Sequence, residues 1–250
     1  MKATDRWYSG RLGRDVSVAR WGDVGIPFLI YPTAGGDAEE IERFMVIDTL
    51  SEYLEAGLIK VYSCDSVAGR AMLSGEGTPE HRMRLLDQFL HFVGEELVPA
   101  IRTDCHSEDI GIMVGGASIG AFNALATVCR FPNAFTHALC MSGTYDLERF
   151  LKAPITTDFY VSSPIHYLRE LKGETLEALR TRFVLFASGE GKAEDIGESW
   201  RAASVLGERG IPNRVDSWGH EWTHDWPTWR NMLHTYTPEL AGGHEGADEG

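Results

Sequence analysis

Ser118 lies in a cluster of glycines whose spacing could turn a serine into a nucleophile. The stretch Gly116-Ala117-Ser118-Ile119-Gly120 fits the pattern G-x-S-x-G, with an apolar run before it and small, apolar residues after it. This pattern is typical of a sharp turn between a buried strand and a helix, where glycines let both backbones approach. The turn would hold the serine hydroxyl outward. The alternative is a tightly packed turn with an inert serine.

A serine hydroxyl needs a histidine as base and a carboxylate that orients the histidine. A strand-to-helix turn that presents a reactive serine is called a nucleophile elbow. In proteins with this turn, the three groups occur along the chain in the order serine, acid, histidine. The acid is expected after the apolar run 182–189, and the histidine after the last strand. The candidate acids are Glu190, Glu194 and Asp195, with Asp146 after the preceding strand as a further candidate, and the candidate bases are His220 and His224.

The same histidines also fit a metal-binding pattern. Residues 220–224 read H-E-x-x-H, the signature of zinc peptidases, which requires a helix so that both imidazoles reach one metal ion. Gly219 precedes the segment and Pro227 follows it closely, which disfavours a helix there. We therefore expect a loop that enters a helix, no metal site, and His220 as a hydrogen-bonded loop residue.

The elements that must position these groups alternate along the chain between apolar runs and helix-like segments. This alternation predicts a doubly wound, mostly parallel α/β fold, with its chemistry at the carboxyl ends of the strands. An N-terminal antiparallel hairpin is expected at 5–9 and 16–21, and an insertion near the site at about 146–180. The predicted strands are 26–31, 58–63, 110–116, 137–143, 182–189 and 214–218, and the predicted helices are 38–56, a long one opened by Thr78 and Pro79, 119–130, 198–209 and 226–236.

Composition limits the function classes. The 250 residues carry a net charge of −14, which argues against binding to nucleic acid. No signal peptide and no membrane-spanning run is found, and the four cysteines lack CxxC spacing, so we expect a cytoplasmic protein with reduced thiols. We expect one domain over residues 1–238 and a disordered, acidic, glycine-rich tail over 239–250.

Five segments carry a resemblance to a known family. "YPTAGGD", "GGASIGAFNAL", "MSGTYDL", "SGEGKAED" and "HDWPTWR" occur in the order seen in the putative-esterase branch of the α/β-hydrolase superfamily, which includes enterochelin-esterase-like and esterase-D-like proteins. The resemblance implies an α/β-hydrolase fold and a serine hydrolase that needs no cofactor. It also implies His224, directly before Asp-Trp, as the base and Glu194 as the acid, ahead of Asp195, Glu190 and Asp146.

The loop after the first core strand departs from one common esterase pattern. It reads "PTAGG" where many lipases and esterases have an HGGG-type motif. Because oxyanion donors of this kind are backbone amides, we expect one from Thr33 or Ala34 and the other from Ile119. The alternative interpretation is a loop that leads to a helix capped by Asp37.

Together these observations predict a carboxylesterase-type serine hydrolase that forms an acyl-enzyme. We expect a small-molecule ester as its substrate, and we expect it to bind neither nucleic acid nor a membrane. The sequence is compatible with a homo-oligomer. Two alternatives stay open: an acyltransferase on the same scaffold, and a binding protein that has lost catalysis.

Overall fold

The computed structural model describes residues 1–242 and is built on one central sheet of eight strands. The spatial order is β1-β2-β4-β3-β5-β6-β7-β8. The strands from β4 to β8 in this order run parallel, while β1 and β2 are antiparallel to each other and β2 is antiparallel to β4. This confirms the predicted α/β fold with its N-terminal hairpin. The strands are β1 Lys2–Ser9, β2 Arg14–Trp21, β3 Ile26–Tyr31, β4 Ile59–Cys64, β5 Ile112–Ala117, β6 Phe135–Met141, β7 Phe183–Ser188 and β8 Asn213–Ser217.

Helices cover both faces of the sheet, which explains why β4 and β5 are buried along their whole length. One face packs against the helices between β4 and β8, and the other packs against the first three helices and the last one. The helices are α1 Glu40–Arg43, α2 Val46–Thr49, α3 Ser51–Glu55, α4 Val67–Ser74, α5 Pro79–Phe92, α6 Val98–Asp104, α7 Ile119–Arg130, α8 Glu148–Leu151, α9 Thr157–Ser162, α10 Pro164–Tyr167, α11 Glu174–Leu179, α12 Ile196–Glu208 and α13 Trp226–Gly242, with a π-helical turn at Val93–Leu97 and a 3₁₀ turn at Leu168–Glu170.

The parallel strands end together at one edge of the sheet. In the register of the sheet, Tyr31 pairs with Gly116, and Met141 pairs with both Ala117 and Ala187. The loops that follow β3, β5, β6, β7 and β8 therefore leave from the same edge. This edge carries every residue that the sequence nominated for chemistry.

The single helix predicted over 38–56 is wrong, because the segment forms three short helices. Met45 has a left-handed backbone with φ of 62°, and it separates α1 from α2. The buried residues Ile41, Val46 and Leu50 lie five and four positions apart. A continuous helix would not keep Ile41 and Val46 on one face. The helix is therefore interrupted between them, which allows both side chains to be buried.

The long helix predicted after Thr78 is confirmed. The Thr78 hydroxyl accepts a hydrogen bond from the His81 amide, and Pro79 occupies the first helical position. The helical path then continues through the π-helical turn into α6. All five residues of the predicted stripe are buried, namely Met83, Leu86, Leu90, Val93 and Leu97.

The last helix extends beyond its predicted end and into the predicted tail. Leu240 and Ala241 are buried against the sheet, so residues 239–242 belong to the helix and not to a disordered segment. Pro238 lies inside α13 and cannot donate a hydrogen bond to the carbonyl of His234. That carbonyl instead accepts one from the Tyr53 hydroxyl at 3.0 Å. The rest of the predicted tail, residues 243–250, lies outside the described residues.

None of the helices within residues 1–242 combines the length and the apolar character that a membrane crossing requires.

Candidate active site

Ser118 occupies a strained turn between β5 and α7. Its backbone angles are φ 58° and ψ −119°, a conformation that costs a non-glycine residue about 1–3 kcal/mol. A Cβ on Gly116 would lie 2.6 Å from the backbone of Gly120, and a Cβ on Gly120 would lie 2.9 Å from the carbonyl oxygens of Tyr31 and Pro32. Both glycines are therefore required where strand, turn and helix meet, as the sequence pattern predicted.

Glu194 is the candidate acid that the structure brings to His224. Its Oε1 lies 3.8 Å from His224 Nδ1, which is longer than a hydrogen bond and within the range of an ion pair. The Glu194 side chain is only 1% exposed, whereas that of His224 is 25% exposed.

Two serine hydroxyls hold the Glu194 carboxylate. Ser142 Oγ donates to Oε1 at 2.6 Å and Ser188 Oγ donates to Oε2 at 3.0 Å. Both serines are buried and directly follow or end the adjacent strands β6 and β7. Removing a carboxylate from water without hydrogen bonds is energetically unfavourable. The two hydroxyl donors therefore stabilise the Glu194 carboxylate in its buried position.

The other candidate acids have different partners. Glu190 accepts a hydrogen bond from Ser217 Oγ, and its Oε2 lies 3.4 Å from His220 Nε2. Asp195 caps α12 by accepting from the Gly197 amide at 3.1 Å. Asp146 accepts from the Glu148 amide at 3.1 Å. Within the part of the chain that the structure describes, none of the three carboxylates contacts His224 through a hydrogen bond or an ion pair.

Backbone hydrogen bonds join the loop that carries Glu194 to the loop that carries His224. They run from the Glu190 amide to the Gly219 carbonyl, from the Gly191 amide to the Trp222 carbonyl, and from the His224 amide to the Lys192 carbonyl, at 2.9, 3.0 and 3.1 Å. Gly189 and Gly191 make this approach feasible, because a Cβ at either would overlap the backbone of Trp222. The acid and the histidine are thus placed by one paired unit.

Aromatic side chains support the histidine loop. The Trp229 ring lies perpendicular to the His224 ring at a centroid distance of 5.1 Å, and Trp226 packs on Trp229 in the same way at 5.1 Å. Trp226 also stacks on Phe44 at 4.7 Å. These tryptophans thus pack beneath the loop that carries His224.

The segment with the H-E-x-x-H pattern is a loop that enters α13, as expected from its glycine and proline. His220 is 85% exposed, and its Nδ1 lies 3.2 Å from the Glu190 carbonyl, whereas His224 faces Glu194. The two imidazoles therefore have separate carboxylate partners. Across residues 1–242, no three His, Cys, Asp or Glu side chains are grouped so as to hold a metal ion.

Of the two amides proposed in the loop after β3, that of Thr33 is already bonded. It donates to Glu40 Oε2 at 2.6 Å, and the Thr33 hydroxyl donates to Glu40 Oε1 at 2.9 Å. Thr33 is therefore not an available donor, since a buried carboxylate has taken its amide. The amides of Ala34 and Ile119 have no acceptor among the described residues, and both residues border the pocket at Ser118.

The pocket at Ser118 has a volume of about 350 Å³. Ser118 and Thr144 supply its only polar side chains among the described lining residues. The others are Ala34, Met72, Leu73, Ile119, Leu147 and Phe150. Leu147 and Phe150 come from the predicted insertion at about 146–180, which therefore lies at the site as expected.

Several residues that shape the site were not found from the sequence. These are Ser142 and Ser188 at Glu194, Glu40 at Thr33, and Glu198, whose Oε2 accepts from the amides of Tyr145 and Asp146 at 2.8 and 3.0 Å. One signal was available for the two serines, because the apolar runs 137–143 and 182–189 both end in small residues. The two glutamates lie within helical segments, where their type and spacing give no such signal.

The cysteines do not take part in the site. All four are free thiols, and Cys64, Cys129 and Cys140 are buried. Burial raises the pKa of each of these three thiols well above its usual value. They therefore stay protonated and unreactive at neutral pH.

Comparison with known proteins assigns the family. The sequence profile of the family described as "Putative esterase" matches residues 64–240. The chain belongs to this family. The match includes Ser118, Glu194 and His224, and family membership supports ester hydrolysis by a serine hydrolase. A comparison with curated protein sequences gave no match.

Solved structures with the same architecture include several esterases. A ferulic acid esterase matches with a TM-score of 0.72 at 16% identity, over 97% of both chains. An S-formylglutathione hydrolase from Agrobacterium tumefaciens matches with a TM-score of 0.68 at 12% identity, over 98% of this chain and 94% of that one. The enterobactin esterase from Shigella flexneri matches with a TM-score of 0.69 at 16% identity, over 97% of this chain and 60% of that one. At these identities the likeness establishes the α/β-hydrolase fold.

The close contact at the Ser118 turn generates a stability prediction. We expect Gly120→Ala to lower the free energy of unfolding by about 1–3 kcal/mol, because the new methyl group meets two backbone carbonyls that cannot move away. Urea denaturation followed by circular dichroism measures the change.

A matched control lies in α12. A Cβ on Gly207 would meet no atom within 4 Å, so Gly207→Ala should leave stability unchanged or raise it by up to about 1 kcal/mol. Equal stability of Gly120→Ala and wild type would show that the backbones at the turn are not in forced contact.

Proposed function

We propose that the protein is a serine esterase in which Ser118 is the nucleophile, His224 the base and Glu194 the orienting acid. The observation that carries this proposal is the Glu194 carboxylate, which is buried, held by two serine hydroxyls and 3.8 Å from His224 Nδ1. Membership of the esterase family and the strained turn at Ser118 support the same reading.

The roles follow from the positions of the atoms. Glu194 faces Nδ1 of His224, so the proton of a neutral imidazole is favoured on that nitrogen. Nε2 then has a free lone pair, and it has no partner among the described residues. Nε2 is thus the atom that would accept the Ser118 proton.

In the proposed reaction, Ser118 Oγ attacks the acyl carbon while His224 Nε2 takes the hydroxyl proton. The amides of Ile119 and Ala34 donate to the oxyanion of the tetrahedral intermediate. His224 then gives the proton to the leaving alcohol, and the ester bond to that alcohol breaks. Water, deprotonated by the same histidine, cleaves the acyl-enzyme and restores Ser118.

Replacement of the nucleophile tests the reaction. We expect Ser118→Ala to lower kcat/KM for p-nitrophenyl acetate by about 10⁴-fold or more, because no other group forms the acyl-enzyme. Thermal unfolding should be unchanged or improved, since alanine removes no hydrogen bond of the hydroxyl within the described structure. Hydrolysis by Ser118→Ala at the wild-type rate would refute the proposal.

Four carboxylate variants test the assignment of the acid. Glu194→Gln keeps the size of the side chain and removes the charge that stabilises the imidazolium, so kcat should fall by about 10³–10⁴-fold. The matched controls Glu190→Gln, Asp195→Asn and Asp146→Asn should stay within a few-fold of wild type, because their partners lie elsewhere. A large loss in one of the controls, with Glu194→Gln active, would transfer the role to that residue.

A further inference from the structure

The pocket beside Ser118 is uncharged and mostly apolar. Apart from the hydroxyls of Ser118 and Thr144, its described lining consists of aliphatic and aromatic side chains. Among residues 1–242, no carboxylate, guanidinium or ammonium group lines it. A charged ligand group placed there would lose its hydration without gaining a partner, which is strongly unfavourable.

The mouth of the pocket has two large apolar side chains that the fold leaves in water. Leu73 on α4 is 71% exposed, and Phe150 on α8 is 55% exposed. The two helices contribute to one pocket from different parts of the chain, so the exposed surfaces are parts of the same site. Apolar surface gathered at a pocket in this way is typical of a ligand-binding site.

The position of His224 determines which half of an ester this pocket would take. The leaving alcohol must lie near the histidine, because His224 Nε2 returns the proton to its oxygen. Among the described residues, none of those that line the pocket belongs to the loop 218–225 that carries His224. The pocket instead includes Ile119 and Ala34, whose amides would bind the oxygen of the acyl group. It therefore extends from the acyl carbon and away from the leaving group.

We infer that this pocket binds an apolar, uncharged acyl chain of several carbons, so that the enzyme selects its ester by the acyl half. This inference rests on the proposed function, because it needs the acyl group on Ser118. Leu73 and Phe150 are the specificity-determining residues, since they are the large apolar side chains of the pocket that the fold leaves most exposed for a ligand to cover.

Two series of esters test the inference on the wild-type protein. With p-nitrophenol as the constant leaving group, kcat/KM should rise about fourfold for each methylene added between the acetyl and hexanoyl esters. With acetate as the constant acyl group, methyl, butyl and hexyl acetates should differ by less than one such step. A rise confined to the alcohol series would place the leaving group in the pocket and overturn the inference, as would two flat series.

A charged acyl group supplies a matched comparison. The p-nitrophenyl monoester of hexanedioic acid has the same number of acyl carbons as the hexanoyl ester but ends in a carboxylate. Its kcat/KM should be lower by about tenfold or more, because the carboxylate would be buried without a partner. Equal values for the two esters would contradict an apolar acyl site.

Variants at the mouth connect the selectivity to the two exposed residues. Leu73→Ser and Phe150→Ser should each reduce the ratio of hexanoyl to acetyl activity at least threefold, and the double variant should reduce it further. Val24→Ser is the control, because Val24 is also largely exposed, at 66%, but lies before β3 at the opposite edge of the sheet. An unchanged ratio in the double variant would show that these residues do not contact the chain.

The outcome also separates this inference from the proposed function. If hydrolysis of the acetyl ester requires Ser118 but kcat/KM does not change with acyl length, the esterase proposal is supported and the acyl-site inference is refuted. If no ester in either series is hydrolysed, the esterase proposal itself falls.

Discussion

The backbone contact between Gly116 and Gly120 is the constraint on which the rest of the site depends. It brings the end of β5 against the start of α7 at a distance that leaves no room for a Cβ. Ser118 is forced into a positive φ as a result, and the cost of about 1–3 kcal/mol is offset by the packing of α7, which is buried along almost its whole length. The strained serine therefore belongs to the core packing and does not depend on a mobile loop.

The second constraint is the placement of a buried carboxylate beside a histidine on a different loop. Hydrogen bonds between the loops after β7 and β8 fix their separation, and glycines at 189 and 191 allow it. The serines at the ends of β6 and β7 then compensate the charge of Glu194 with two donated hydrogen bonds. Since hydroxyl donors satisfy the carboxylate without neutralising it, its charge remains available to His224.

Much of this arrangement could be predicted from the sequence. Apolar runs identified the strands from β3 to β8 to within two residues at each end, and the glycine spacing identified the turn at Ser118. The N-terminal hairpin was also found, although β1 begins three residues before its predicted start. These features are encoded locally, through burial of whole strands and through backbone contacts that exclude side chains. The family resemblance, and not the spacing of residues, selected Glu194 and His224 among their neighbours.

The features that were missed are set by contacts between distant parts of the chain. Continuity of the 38–56 helix was lost because Ile41 and Val46 must both reach the sheet. The Thr33 amide donates a hydrogen bond to Glu40, and the two residues meet only because the folded loop lies against α1. The hydroxyls of Ser142 and Ser188 meet at Glu194 because β6 and β7 are neighbours in the sheet. Such pairings depend on topology, which local periodicity does not encode.

The central claim is that Ser118 is a nucleophile activated by His224. The most direct measurement is covalent labelling with a fluorophosphonate, followed by intact mass and peptide mapping of the wild type and of His224→Ala. The account predicts one adduct per chain, on Ser118, formed at least a hundredfold more slowly in His224→Ala because the serine has lost its base. An unlabelled wild type, an adduct on another residue, or equal labelling rates in the two proteins would contradict it.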